Sequence, residues 1–415
     1  MRKSYIQRLT ALQSFAFAVV FIIFFTASPS YGHDISEEPI GTALQVYDGL
    51  LTPDLAVSTF RATDRLFATR EIAIGAKPYE LQKAAKQLEQ VKFKSNGKDY
   101  DLFDYLSLNR VSGVMVLKDG KVAYELYQYG NTRETRWMSM SMAKSFTSTL
   151  MGAAVQDGLV NLKDRVTKYV PSLKGSAYEG VTVRDILMFA SGVYWSEESG
   201  EAAGKMNPKT PRRQLLDIQI AQKPGAVMKL MSTLPRVAPI GSVMEYSSGE
   251  AQVQVEVLRA VIKKPLSTYL SEKIWANFGM EFPAFWWLDS PGGSEIGGSG
   301  MSATLSDYAR FGLFIMNNGV VGNKRVLPEG WVADAGSAKI SSVSGQPNNY
   351  GYNWWVPSRG PSRDDGAFEA RGKGGQGIYI NQKNKIVIAI TSAQIKGNAP
   401  IDNGDFYDAV VAALK

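Results

Sequence analysis

Trp137-Met138-Ser139-Met140-Ser141-Met142-Ala143-Lys144-Ser145-Phe146 is the stretch on which the reading of this chain turns. Ser141 and Lys144 are three positions apart, a spacing that puts both side chains on one face of a helix and lets the amine reach the hydroxyl. Phe146, Leu150, Ala153 and Ala154 continue an apolar face, and Asp157-Gly158 supplies a stop, so a helix is expected from Ser141 to Gln156. Its N-terminus would add unpaired N–H groups where an alkoxide or oxyanion forms. For the lysine to act as a base it must lose its proton near neutrality, a shift of about three pH units from the reference value, or about 4 kcal/mol. Burial against Met138, Met142 and Phe146 can supply part of that. The plain alternative is an N-capping serine beside a solvated lysine.

Composition narrows the chemistry around this pair. The 415 residues contain no cysteine and one histidine, His33, close to the N-terminus. A thiolate nucleophile, cysteine-based zinc, a Ser-His-Asp triad and an imidazole base are thereby excluded from the body of the chain. With 45% hydrophobic and 20% charged residues the chain reads as globular, of two or three domains. The formal charge of +7 includes Arg2, Lys3 and Arg8, and the remainder is spread without a basic stripe, so no nucleic-acid partner is expected. No metal or cofactor motif is present either. The glycines of Pro291 to Gly300 do not form a phosphate loop, and Asp364-Asp365-Gly366 lacks the other ligands of a calcium loop.

Arg2, Lys3 and Arg8, the apolar run Phe15 to Phe25, and Ser30-Tyr31-Gly32 follow the order of a secretory signal cut before His33. The expectation is an exported protein, periplasmic or secreted. Membrane contact is expected only if the leader stays uncleaved, and the apolar run is short of the ~20 residues that span a bilayer.

Outward from the serine, Val111–Leu117 and Val122–Tyr129 flank Lys118-Asp119-Gly120-Lys121, the signature of a hairpin with a type I′ turn. Upstream, Tyr79 to Val91 carries Leu81, Ala84, Ala85 and Leu88 at helical spacing. Downstream, helices are expected over 183–189, 249–262, 266–278 and 305–316. Strands are expected over 350–356, 377–380 and 386–391, and a last helix over 402–415. Strands, then many helices, then strands and a terminal helix predict an α+β fold, an antiparallel sheet interrupted by a helical insertion. The expected division is a leader (1–32), an N-terminal arm (33–110), a sheet domain (111–160 with 346–415) and a helical domain (161–345). A second Ser-x-x-Lys, Ser95-Asn96-Gly97-Lys98, reads as a turn because no helix follows it. Trp195, Trp286-Trp287 and Trp354-Trp355 read as core packing before pocket lining.

Taken with Asp157-Gly158-Leu159-Val160, Val181-Thr182-Val183-Arg184-Asp185-Ile186-Leu187, Glu245-Tyr246-Ser247-Ser248-Gly249, Gly297-Gly298-Ser299-Gly300-Met301-Ser302-Ala303 and Ala370-Arg371-Gly372-Lys373-Gly374-Gly375-Gln376, the opening stretch resembles the serine β-lactamase and penicillin-binding-protein superfamily. Within it the likeness is to the branch holding class C β-lactamases, family VIII-type esterases and 6-aminohexanoate-dimer hydrolases, over roughly residues 100–415. The resemblance implies a β-lactamase-like fold and a serine hydrolase. In it Ser141 attacks a carbonyl, Lys144 accepts or shares its proton, and Tyr246 relays a proton to the leaving group. It further implies an oxyanion hole from the backbone N–H of Ser141 and of Lys373, just past Gly372, with Ser248 and Gln376 as polar groups lining the pocket. No cofactor or metal is implied.

Tyr246 stands where other branches have Ser-Asp-Asn, and Ala370-Arg371-Gly372 replaces Lys-Thr-Gly. The lost strand lysine would otherwise grip a β-lactam or peptide carboxylate, so a small-molecule ester or small amide is the favoured substrate. A β-lactamase or DD-peptidase, and a non-catalytic penicillin-binding-like sensor, are the alternatives.

Overall fold

The Asp119-Gly120 turn adopts the positive φ angles its sequence demands, 51° and 75°, and folds two β-rich runs into a hairpin, β1 (Val111–Lys118) and β2 (Lys121–Tyr127). In this computed structural model, residues 37–197, 210–340, 349–395 and 399–415 are described. Residues Glu38–Lys415 form one unit; the other, Met1–Glu37, has only Glu37 among the described residues, so the leader lies outside them.

Three late strands, β3 (Phe368–Gly372), β4 (Gln376–Asn381) and β5 (Ile386–Ser392), complete an antiparallel sheet in the order β3-β4-β5-β1-β2. Because β5 pairs with β1, the chain leaves the sheet after β2 and returns to it more than two hundred residues later. The segment between holds α1 (Ala143–Gln156), α2 (Pro211–Ile220), α3 (Ser248–Ile262) and α4 (Leu305–Met316); α5 (Asn403–Leu414) closes the chain.

β1 and β5 are buried along nearly their whole lengths, as central strands covered on both faces must be. Alternate residues divide between two cores. Met115, Leu117, Val387 and Ala389 pack with Phe146 of α1 and Phe311 of α4, whereas Val114, Val116, Ile388 and Ile390 pack with Phe406 and Val410 of α5. A second antiparallel sheet, ordered 69–72, 284–287, 301–304, 136–138, pairs Arg136–Met138 with Met301–Thr304. It therefore delivers the chain to the serine from an immobilised strand.

The α+β architecture is the one expected, and α4 has the expected bounds. Two local expectations are corrected. Residues 79–91 form no helix: the segment runs extended along β2, where Val122 N donates to Gln82 O at 2.8 Å and Ala84 N to Val122 O at 2.8 Å. The edge of β2 satisfies that backbone, so helical spacing of a few apolar residues does not decide its form. Residues 350–356 form no strand. The chain reverses, Gly351 N donating to Trp354 O at 2.8 Å with Asn353 at φ 60°, and only Trp355 joins the edge of β3. The turn expected at Ser95–Lys98 is the tip of a hairpin between 92–95 and 98–101.

Candidate active site

Ser141 lies in a 3-10 turn, Met140–Met142, that runs directly into α1, rather than in the α-helix itself. The turn is tightly braced. Ser139 N donates to Met301 O at 2.7 Å, Met301 N donates back to Ser139 Oγ at 3.1 Å, and Met140 is held at φ 45°, a left-handed value rare for a side chain of its size. On the opposite side, β3 ends against the turn. A Cβ at Gly372 would overlap the carbonyl oxygen of Ser139, so the strand can approach this closely only with glycine there. Gly372, at the end of β3, thus packs against the backbone of the turn that carries Ser141.

One turn along α1, the Lys144 side chain is buried, 1% exposed. Its Nζ is 3.0 Å from Ser141 Oγ, 3.0 Å from Ser248 Oγ and 2.9 Å from Gly298 O. Burial is the main cause that brings its pKa from 10.5 to about 7; Glu197 opposes the shift and Arg212 assists it. The carbonyl of Gly298 reaches the amine because Gly297 lies so close to α3 that a side chain there would overlap Val255 and the Ala251 carbonyl.

Tyr246, on the segment entering α3, places its ring centroid 4.9 Å from Lys144 Nζ, with its phenol near enough to Ser141 for that hydroxyl to oppose the rise in the phenol's pKa. It stands in an aromatic cage of Phe189, Tyr350 and Trp355, with centroids 5.5, 5.5 and 5.4 Å away. Desolvation, with the Glu197 charge second, pushes the phenol above its ordinary range. The two shifts run in opposite directions and sort the groups: near neutral pH the lysine can be an amine with a free lone pair while the tyrosine remains a phenol. The Ser141 hydroxyl, 3.0 Å from the amine, thus has a base at hand and a protonated phenol in the same cluster.

Ser248 therefore joins Ser141, Lys144 and Tyr246 in one cluster. Gln376 does not face it. Its amide is 2% exposed and fully engaged between β4 and its neighbours: Oε1 accepts from Trp137 Nε1 at 3.1 Å and Ser392 N at 2.9 Å, and Nε2 donates to Ser392 O at 2.9 Å. The next residue, Gly377, pairs with Arg371 on β3, so Gln376 ties the strand end that abuts the serine to the rest of the sheet. The Lys373 side chain is also turned from the cluster, its Nζ donating to Tyr47 O at 3.3 Å. Of the tryptophans, Trp195, Trp286, Trp287 and Trp354 are buried, and Trp355 alone among those five stacks on Tyr246.

Three groups in the cluster escaped the sequence reading: Gly298 as an acceptor, and Glu197 and Arg212. Arg212 Nη1 donates to Ser248 Oγ at 2.8 Å and pairs with Glu197, whose Oε1 accepts from Ser248 N at 2.6 Å. Gly298 carried a signal, since the missing side chains of the Gly297-Gly298 pair admit close approach of the backbone. Glu197 and Arg212 carried none, for each looks like an ordinary surface charge until the fold brings it to α3.

The family model described as Beta-lactamase matches residues 109–413. The 6-aminohexanoate-dimer hydrolase of Paenarthrobacter ureafaciens is 25% identical over 301 residues, covering 71% of this chain and 75% of that protein. A β-lactamase of Pseudomonas fluorescens is 30% identical over 103 residues, 22% of this chain and 28% of that protein. Among solved structures, one from Bacillus anthracis, provisionally named a 6-aminohexanoate-dimer hydrolase, superposes with a TM-score of 0.76 at 22% identity, covering 87% of this chain and 94% of its own. A family VIII carboxylesterase gives 0.56 at 16% identity over 73% of this chain and 91% of its own. Fold, family match and relatives converge: the chain belongs to the serine β-lactamase and penicillin-binding-protein superfamily and is a serine hydrolase.

Proposed function

We propose that this hydrolase is exported and cleaves an ester or small amide, in the manner of 6-aminohexanoate-dimer hydrolases and related esterases, through an acyl-enzyme on Ser141. The observation that carries the reading is the buried Lys144 amine 3.0 Å from Ser141 Oγ. Lys144 takes the hydroxyl proton as Oγ bonds to the substrate carbonyl carbon, and the oxyanion forms facing the backbone N–H groups of Ser141 and Lys373. Tyr246 hands a proton to the leaving oxygen or nitrogen and recovers one from the Lys144 ammonium. The carbon–heteroatom bond breaks, and water then hydrolyses the ester on Ser141 by the same proton path in reverse.

The β-lactam alternative is supported by the local match to the Pseudomonas fluorescens β-lactamase. Against it, Ala370 and Arg371 stand where the strand lysine and threonine would hold a carboxylate.

A fluorophosphonate probe followed by intact-mass and peptide mapping tests the reading. The expected result is one adduct, on Ser141, absent from Ser141→Ala. No adduct, or one elsewhere, overturns it and leaves the sensor alternative. A panel of short acyl esters, aminohexanoate dimers, D-amino-acid amides and cephalosporins then ranks substrates; nitrocefin turnover matching ester turnover would favour the β-lactamase alternative. Export predicts a mature chain beginning at His33, read by N-terminal sequencing of secreted or periplasmic material.

A further inference from the structure

Ser248 is gripped at two points by one ion pair. Glu197 accepts its backbone N–H at 2.6 Å, Arg212 donates to its hydroxyl at 2.8 Å, and Arg212 and Glu197 bond each other, closing a ring around the first residue of α3. The pair is largely sequestered, with side chains 17% and 19% exposed. Its place is fixed from outside the site as well. Arg213, the neighbour of Arg212 on α2, pairs with Asp48 at 2.6 Å, anchoring α2 to the N-terminal helix Ala43–Asp48.

Two members of the resulting chain have fixed polarity. A guanidinium can only donate, so Arg212 permanently occupies a lone pair of Ser248 Oγ. The Gly298 carbonyl can only accept, so it permanently takes one N–H of Lys144. Between these ends, an unprotonated Lys144 that gives its second N–H to Ser248 is left with its lone pair directed at its third partner, Ser141 Oγ. We propose that Arg212 and Glu197 are positioning residues of the hydrolytic reaction: they hold Ser248 so that it orients the Lys144 lone pair toward Ser141, and their opposite charges set the pH range in which that lone pair exists. This rests on the acyl-enzyme reading above and assigns the regulation of its base.

Among the described residues, the charged and titratable groups acting on the amine are Glu197 from the segment before residue 198, Arg212 from α2 and Tyr246 before α3. The rest of its immediate shell is neutral: Ser141 and Ser248 hydroxyls, the Gly298 carbonyl, and Asn353, whose amide donates to the Lys144 carbonyl at 3.2 Å. Removing the cation leaves Glu197 to favour the ammonium; removing the anion leaves Arg212 to disfavour it.

The test measures the pH dependence of fluorophosphonate labelling at Ser141 in the full chain, which needs no knowledge of the substrate. Arg212→Met is expected to move the acid limb of the labelling rate upward by about one pH unit and Glu197→Gln to move it downward by a similar amount. The double variant should return it near the wild-type position with a lower plateau rate, and Arg212→Lys should retain the limb, keeping the charge, with a reduced rate. Loss of packing alone would lower the rate in all four without opposite displacements of the limb, and near-UV circular dichroism identifies any variant that has not folded, the remaining ones then carrying the comparison. Unmoved limbs, or limbs moved in the same direction, overturn the positioning role while the acyl-enzyme reading stands. An unlabelled wild type overturns both.

Discussion

Titration of the base gives the most direct check on the chemistry. With Lys144 brought to about 7 by burial, about half of the chains carry the free amine at pH 7 and about one in a hundred at pH 5. kcat/KM for an acyl ester should therefore fall tenfold per unit below pH 6, to about a hundredth of its plateau at pH 5. Tyr246, pushed above its ordinary range, should add no descending limb up to pH 9. Release of p-nitrophenol from its butyrate ester, followed at the isosbestic wavelength, reads the profile without interference from the product's own titration. Lys144→Met should lower kcat/KM by about 10²–10⁴-fold, the range of a removed general base. Two outcomes would refute the reasoning. An acid limb between pH 4 and 5 would show that the Lys144 amine is not the base. A rate that rises steadily through pH 9 and above would assign the task to tyrosinate.

Three further outcomes follow from the same geometry. Gly372→Ala drives a methyl group into the Ser139 carbonyl, so it should lower Tm by several degrees and kcat together, through displacement of the Ser141 turn; unchanged activity would mean that β3 does not fix that turn. Lys144→Met should stabilise the protein while inactivating it: the unfolded chain binds a proton that the native state refuses between about pH 7 and 10.5, so wild-type stability rises with pH across that window and the variant's gain in Tm should be larger at pH 6 than at pH 10. Glu250, bonded to Ser191 and to Tyr178, is pushed by burial up to about 8 from 4.5, so the native state holds a proton there that the unfolded chain has lost. Stability should accordingly fall as pH rises from about 4.5 to 8, and Glu250→Gln should flatten that slope in urea midpoints measured at pH 5 and pH 8.

Where a signal was local, the sequence sufficed to read it. Asp119-Gly120 demands positive φ at both turn positions whatever surrounds it, and α4 is framed by Thr304, which caps Asp307 N, and by Asn317-Asn318-Gly319. Ser141 and Lys144 are likewise neighbours along one turn, so their proximity was legible, although the break between the 3-10 turn and α1 was not. Residues 79–91 failed because their partner is a strand edge some forty positions away, and edge pairing outweighs a weak helical spacing. Gln376 shows the same limit from the other side. It occupies a recognisable motif, yet which way its amide points depends on Trp137 and Ser392, far apart in sequence. Glu197 and Arg212 meet Ser248 across 51 and 36 positions, and nothing in either segment distinguishes them from solvated charges.

Burying Lys144 sets stability against reactivity. A lysine in water at neutral pH is almost wholly protonated and is a poor base for a serine; the same lysine desolvated is a competent base but an unfavourable thing to bury. The protein meets this by placing the amine on α1, where Phe146 anchors the helix in the main core, and by giving it three short-range oxygen partners, two hydroxyls and a carbonyl, rather than a carboxylate. A carboxylate bonded directly to Nζ would satisfy it better and would hold it protonated, disabling the base. Glu197 is instead kept one residue removed, spent on Ser248 N and Arg212, so its charge tempers the amine without capturing it. On this argument the destructive substitution is not the loss of Glu197 but its relocation: Ser248→Asp should fold stably, pair with Lys144 directly, and abolish labelling of Ser141 below about pH 9, whereas Ser248→Ala should retain measurable labelling at pH 7.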